Sequence, residues 1–249
     1  MKKYLPVILF LWLNSAVELH AQTATEIVQQ ADNKMRGKSS QAEMTVLTIR
    51  PNWSREMQIK SWAKGTNLAM ILVQSPPKDK GIVFLKRKKE VWNWMPVIER
   101  NIKLPPSMMT NSWMGTDFTN DDLVREASAV YDYTHRFIAD TLIDNRICYK
   151  IEFIPKPGTA IVWGKLLVCI DKKDYLELYT EFFDEEGQMI NVMKTYDIKM
   201  MDGRLIPTRM EMTPVGKQYQ KTVIIYRSVV FNRNIEDNFF TIEKMKQIN

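Results

Sequence analysis

AEMTVLTIRPNWSREMQIKSWAKGTNLAMILVQ, residues 42–74, decides the fold, because apolar and polar residues alternate through it with a period of two and turn residues interrupt it. Successive side chains of a strand point to opposite faces, so this pattern predicts strands at Ala42–Arg50, Glu56–Lys64 and Asn67–Gln74. The pattern continues outward, predicting strands at Ile82–Lys86, Val91–Met95 and Arg100–Leu104. Further on it covers Val130–Ile138, Ile147–Ile154, Ile161–Ile170, Leu176–Phe183, Met189–Met200, Leu205–Thr213 and Thr222–Phe231. Turns are marked by Lys64-Gly65, Pro157-Gly158, Glu186-Gly187, Asp202-Gly203 and Val215-Gly216. With no helices between strands, the pairing must be an antiparallel meander. A sheet of about ten or more strands curls or closes, so the expected architecture is mainly β: an incomplete, strongly curved antiparallel β-barrel. One helix precedes it, from Thr23 to Arg36: Thr23 and Glu26 have capping-box spacing, Ile27, Ala31 and Met35 form an apolar stripe, and Gly37 stops it. This helix is expected on the concave face of the sheet.

One stretch breaks the alternation. Leu104–Glu126, LPPSMMTNSWMGTDFTNDDLVRE, concentrates Met108, Met109, Trp113, Met114 and Phe118 among prolines, a glycine and small polar residues. Unbranched Met side chains fill irregular space and adapt to more than one partner, so the stretch reads as an apolar flap or as a permanent plug of the core. Its end is helical, with Thr119 or Asn120 as cap and Asp121 and Asp122 in the first turn. The flap residues are expected to face the concave side and approach Trp62, Trp92 or Trp94, giving a ligand-binding wall of Trp62, Trp92, Trp94, Met108, Met109, Trp113, Met114 and Phe118.

Residues 1–21 read as a signal peptide: Lys2 and Lys3, an apolar run Tyr4–Leu13, and Leu19-His20-Ala21 before Gln22. Asn14, Glu18 and His20 interrupt the run too early for a membrane span. Residues 22–249 are then expected as one exported domain. The 35 basic and 29 acidic residues give +6, and loss of Lys2, Lys3 and Glu18 leaves a mildly basic +5. The two cysteines, Cys148 and Cys169, are equidistant from Gly158-Thr159, which predicts that they face each other across a hairpin, as a bridge or as two thiols.

The chemistry of most enzymes is missing. His135 alone remains after signal removal, so a His-rich metal site is excluded, and DYTHRF places it on a strand face as a structural residue. No GxSxG, HExxH, P-loop or GxGxxG occurs. Asp117, Asp121, Asp122 and Glu126 read as caps and a solvated helix face. No catalytic residue, cofactor or metal is expected. The basic run Lys78, Lys80, Lys86, Arg87, Lys88, Lys89 reads either as a solvated turn or as a docking surface for anionic headgroups or an acidic partner; nucleic acid is not expected.

The segments SWMGTDFTNDDLVRE, YDYTHRF, VCIDKKDYLELYTEFFDEEGQ, YDIKMMDGRLIPTRMEM and NFFTIEKM, together with the signal and single helix, resemble the outer-membrane lipoprotein-sorting family in its LolA-like exported branch. The resemblance spans the mature chain. It implies a LolA/LppX-like half-barrel of about 11 strands with helices over its concave face. It also implies a periplasmic carrier or chaperone, monomeric and not an enzyme, that shields acyl chains of lipoproteins or lipids in an apolar cavity. Its partners would be inner-membrane export machinery and an outer-membrane acceptor. The alternative is a non-transporting interaction module of an envelope export system whose barrel is filled by its own side chains.

Overall fold

A computed structural model describes residues 22–125, 129–159 and 161–248. The signal-peptide reading and Glu126 lie outside the described residues. Helix α1, Ala24–Arg36, begins in the expected capping box: the Glu26 amide donates to Thr23 Oγ1 (3.2 Å) and the Thr23 amide to Glu26 Oε2 (2.8 Å). It ends at Gly37, whose φ of 64° only glycine adopts without cost. Ile27, Val28 and Ala31 bury against Tyr133, Ile151, Phe153, Val168 and Ile170.

The strands are β1 Ser39–Arg50, β2 Trp53–Lys64, β3 Leu68–Ser75, β4 Val83–Arg87, β5 Glu90–Met95, β6 Arg100–Leu104, β7 Tyr133–Ile143, β8 Arg146–Pro155, β9 Lys165–Asp171, β10 Glu177–Phe183, β11 Met189–Met201, β12 Arg204–Pro214 and β13 Lys221–Phe231. A short helix α2, Ile242–Gln247, closes the described chain. All 13 strands belong to one antiparallel sheet in the order β6-β5-β4-β3-β2-β1-β13-β12-β11-β10-β9-β8-β7. The number matches the thirteen alternating runs of the sequence and exceeds the roughly 11 that the family resemblance implied, and even the five-residue strands β4 and β6 pair fully with β5.

The sheet is two meanders, β1–β6 and β7–β13, joined where β1 pairs with β13 from Ser40↔Phe231 to Ile49↔Lys221. Its free edges, β6 and β7, are therefore consecutive in sequence and at opposite ends of the strand order. Of the chain between them, residues 105–125 run over the inner face of the sheet. Strong curvature shortens that path: β3 and β8 are eight places apart in the strand order, roughly 38 Å along a flat sheet at 4.8 Å per strand, yet Ile71 and Phe153 line one cavity.

Two expectations change. Residues 161–164 were expected in a strand but leave the sheet, and β9 begins at Lys165. Gly164 permits this departure, since a Cβ there would lie 2.3 Å from the Asp184 carbonyl oxygen. With residues 156–164 forming a long connection instead of a tight turn, the β8–β9 register moves by two. Cys148 pairs with Asp171 and Lys150 with Cys169, so the thiols are diagonal. Diagonal positions are about 7–8 Å apart, beyond comfortable bridging distance. Both cysteines are free and buried, packed with Leu176 and Leu178, and burial pushes both thiols up to about 11.

Candidate functional site: a cavity under a pinned strap

The crossing segment lies over the inner face of the sheet as a strap. Met109, Trp113 and Phe118 are buried with Val46, Met57, Ile59, Ile71, Val73 and Phe84, and the Trp113 ring sits 5.7 Å from that of Phe84. Met114 packs against the same cluster, whereas Met108 is exposed. Trp113 is fully buried, yet its indole Nε1 has no hydrogen-bond partner among the described residues. An unpaired buried donor costs about 1–3 kcal/mol. The strap is thus anchored by apolar burial and carries a polar penalty in its closed position.

Its few ladder hydrogen bonds are supplemented by side chains from the sheet. Asp117 is the main fastening point. Its Oδ2 accepts from Arg50 Nη1 of β1 (3.0 Å) and from the Thr222 hydroxyl of β13 (2.7 Å), its amide donates back to Thr222 Oγ1 (2.9 Å), and its carbonyl accepts from Asn191 Nδ2 of β11 (3.3 Å). Arg50 also donates to the Gly115 carbonyl (3.1 Å), and Arg55 of β2 donates to that of Met114. Both arginines therefore hold a kink in which Met114 (φ 48°) and Gly115 (φ 76°) are left-handed, a conformation that is costly for methionine.

Beyond the kink, Thr119 caps a single helical turn, Asp121–Arg125, as expected: its amide donates to Asp122 Oδ2 (2.8 Å) and the Asp122 amide to Thr119 Oγ1 (3.1 Å). The predicted solvated face is a correction. Asp121 is 2% exposed, with Oδ2 accepting from the Val162 amide (3.2 Å), and Asp122 Oδ1 accepts from Trp163 Nε1 (2.8 Å). Burial pushes the Asp122 carboxyl up to about 6. These bonds explain why residues 161–164 leave the sheet: Trp163 turns inward against Phe182, ring to ring at 5.0 Å, to meet the strap.

Between strap, α1 and sheet lies a cavity of about 390 Å³. Its walls are mainly apolar: Val28, Ala31 and Met35 from α1, Phe118 and Leu123 from the strap, and Ile59, Ile71, Phe153, Val168, Met193, Met212 and Ile224 from the sheet. Polar groups are few and mostly internally matched. Asp32 and Arg36 form an ion pair at 3.0 Å, and Glu177 is held by the Thr180 hydroxyl, with burial raising its carboxyl above the usual range. The volume falls within the ligand-pocket range of about 300–1,000 Å³.

The tryptophans expected to meet the flap lie elsewhere. Trp92 and Trp94 pack on the opposite face of β4 and β5, with Trp62, Met70, Leu72, Val83 and Leu85, under Phe240 and Met245 of the C-terminal segment. The Trp62 ring meets Phe239 at 5.3 Å. Trp62 borders the cavity through its strand position, but its indole belongs to the outer cluster. The predicted wall is thus split between two faces, and of Met108, Met109, Trp113, Met114 and Phe118 only Phe118 lines the cavity directly. Sequence reasoning missed Arg50, Arg55 and Trp163. Each lies near a strand end with its partner 41 to 67 residues away, so no local spacing marks it.

His135 has structural contacts: Nε2 donates to the Ala129 carbonyl (2.7 Å), Nδ1 accepts from the Thr25 hydroxyl (3.0 Å), and burial lowers its pKa. Among the described residues no three His, Cys, Asp or Glu side chains gather as a metal set, and no helix is long and apolar enough to cross a membrane.

Residues 65–247 match a family model described as “-like: Uncharacterized protein”. The chain belongs to that family. A search of curated proteins gives no match. Among solved structures, a LolA-superfamily protein from Nitrosomonas europaea is 20% identical with a TM-score of 0.79, covering 90% of this chain and 99% of that one. A DUF1329 family protein from Desulfovibrio piger is 17% identical with a TM-score of 0.81, covering 89% and 97%. A domain described as an outer membrane lipoprotein-sorting protein, from Vibrio parahaemolyticus, is 20% identical with a TM-score of 0.79, covering 90% and 98%. The fold of this chain is therefore the LolA-like curved open sheet.

Proposed function

We propose that residues 22–249 act as one exported, periplasmic unit that binds the acyl chains of a lipid or lipoprotein beneath the strap and carries them towards the outer membrane, without catalysis. The cavity carries this reading. Apolar groups of α1, the strap and the sheet surround about 390 Å³, and each CH₂ buried there is worth about 0.8 kcal/mol. A closed, unbroken cover would block entry. Here the cover is a strap with few ladder bonds, a strained kink and an unpaired indole donor, so it opens at lower cost than the sheet. Inner-membrane export machinery and an outer-membrane acceptor would be its partners.

The complete burial of Trp113, with Met109 and Phe118 at 4%, favours a second reading, an interaction module whose strap is a permanent plug. Protein purified without detergent separates the two. Organic extraction and native mass spectrometry should recover acylated molecules from the carrier, and an added diacyl lipid should slow amide exchange in residues 107–118. Strap exchange as slow as that of the sheet, unchanged by any acylated ligand, would leave the plug.

A further inference from the structure

A second, larger cleft of about 640 Å³ opens where the tips of the β2–β3 and β4–β5 turns face the β7 entry and the β8–β9 connection. The basic run of the sequence resolves here. Lys86, Lys88 and Lys89 line the cleft with Lys103 of β6, while Lys78, Lys80 and Arg87 do not. Glu90, which bonds Lys103, and Asp132 also line it, so lysines outnumber carboxylates in the lining by four to two. Lys88 and Lys89 stand exposed at the hairpin tip. The floor is apolar: Leu104, Met109 and Ile161 line the cleft and pack in the same cluster as Phe118 and Met212 of the inner cavity.

We propose that this cleft seats the phosphate-bearing headgroup of an anionic diacyl lipid whose chains occupy the cavity under the strap. The inference rests on the carrier reading and names its ligand class. A free anion would gain nothing from Leu104, Met109 and Ile161, whereas a lipid presents a charge and an apolar stem side by side. Lysines suit such a headgroup, since flexible point charges hold phosphate in several orientations. Met109 sits where the two environments meet, so the headgroup would rest against the strap that the chains must pass.

The test uses delipidated protein incubated with vesicles of phosphatidylglycerol or of phosphatidylcholine, each containing an acyl-labelled tracer of the same lipid. Uptake of the phosphatidylglycerol tracer should exceed that of phosphatidylcholine by roughly thirtyfold at low salt, as two basic groups each worth about 1 kcal/mol beside a net anionic headgroup imply. The preference should vanish in a Lys88→Glu, Lys89→Glu variant. A Lys199→Glu, Lys217→Glu variant, equal in net charge and exposed elsewhere, should retain it. Equal uptake of both lipids by the native chain, or a preference that survives in K88E/K89E, would overturn the headgroup site and leave the carrier reading standing. Tight calorimetric binding of inorganic phosphate alone would overturn it in favour of a free-anion site. Uptake of neither tracer would remove the carrier reading itself.

Discussion

Replacing Asp117 by Ala removes the one side-chain oxygen that ties the strap to both β1 and β13. Oδ2 accepts from Arg50 at 3.0 Å and from Thr222 at 2.7 Å, and a hydrogen bond to a charged group contributes about 1.5–3 kcal/mol. Part of the loss is recovered, because Arg50 keeps the carbonyls of Ile49 and Gly115, and Thr222 Oγ1 still accepts from the amide of residue 117. The net cost is therefore about 2–4 kcal/mol, which multiplies the equilibrium for strap opening by roughly 30 to 1,000 at 1.4 kcal/mol per decade. Hydrogen exchange followed by mass spectrometry reads this directly: peptides within residues 107–120 should exchange faster by that factor. Peptides from β1, β2 and β13 should change little, since their ladders do not involve Asp117. Retention of acylated ligand should fall in parallel. An acceleration below threefold would mean that Asp117 does not fasten the strap. Equal acceleration in the sheet would mean that the strap is an inseparable part of the core.

Three further outcomes follow. The Asp122 carboxyl titrates near 6 in the closed state against an ordinary value of 3.8, so the closed state binds this proton more tightly than the open one. Closure is then strongest below about pH 4 and weakens as pH rises to about 6. After correction for intrinsic rates, opening of residues 119–123 should be roughly tenfold rarer at pH 5 than at pH 7; a flat profile refutes the assignment. Cys148 and Cys169, raised to about 11 by burial, should resist a thiol reagent at pH 8 in the native protein and react fully after denaturation, and a native disulfide on mass analysis contradicts the register found here. Trp113→Ala removes a fully buried ring and should destabilise the closed strap by about 3–5 kcal/mol; a thermal midpoint and strap exchange both unchanged would show that the indole anchors nothing.

The helix, its caps and the thirteen strand runs were legible because each rests on local periodicity or on residues three or four apart. The apolar character of the strap was legible from Met108, Met109, Trp113, Met114 and Phe118. What covers each face was not. Alternation shows that Trp92 and Trp94 share one face of β5 while Val91 takes the other, but it does not say which face is concave. Both faces are apolar here because the C-terminal Phe240 and Met245 cover the outer one, a long-range docking without sequence spacing. The β8–β9 register failed for a related reason. Period two fixes which face Cys148 and Cys169 occupy and leaves their pairing to the connection, whose excursion is set by Trp163 meeting Asp122. The fastening role of Asp117 was hidden because a carboxylate near a helix start has a sufficient local explanation.

The pairing of the first strand with the last has a consequence for biogenesis. Ser40 finds its partner in Phe231, with nearly the entire chain between them. As the chain emerges, the six-strand N-terminal meander is complete while β1 still shows an unpaired edge, and that edge stays open until β13 follows. Contacts of such sequence separation form late, and an open strand edge invites pairing with another chain. A chain that stops before Lys221 would lack the clasp between its two meanders and keep β1 as a sticky edge. The vulnerable interval of this protein is therefore the one before β13 becomes available, when protection of the open β1 edge governs its yield more than the stability of the finished sheet.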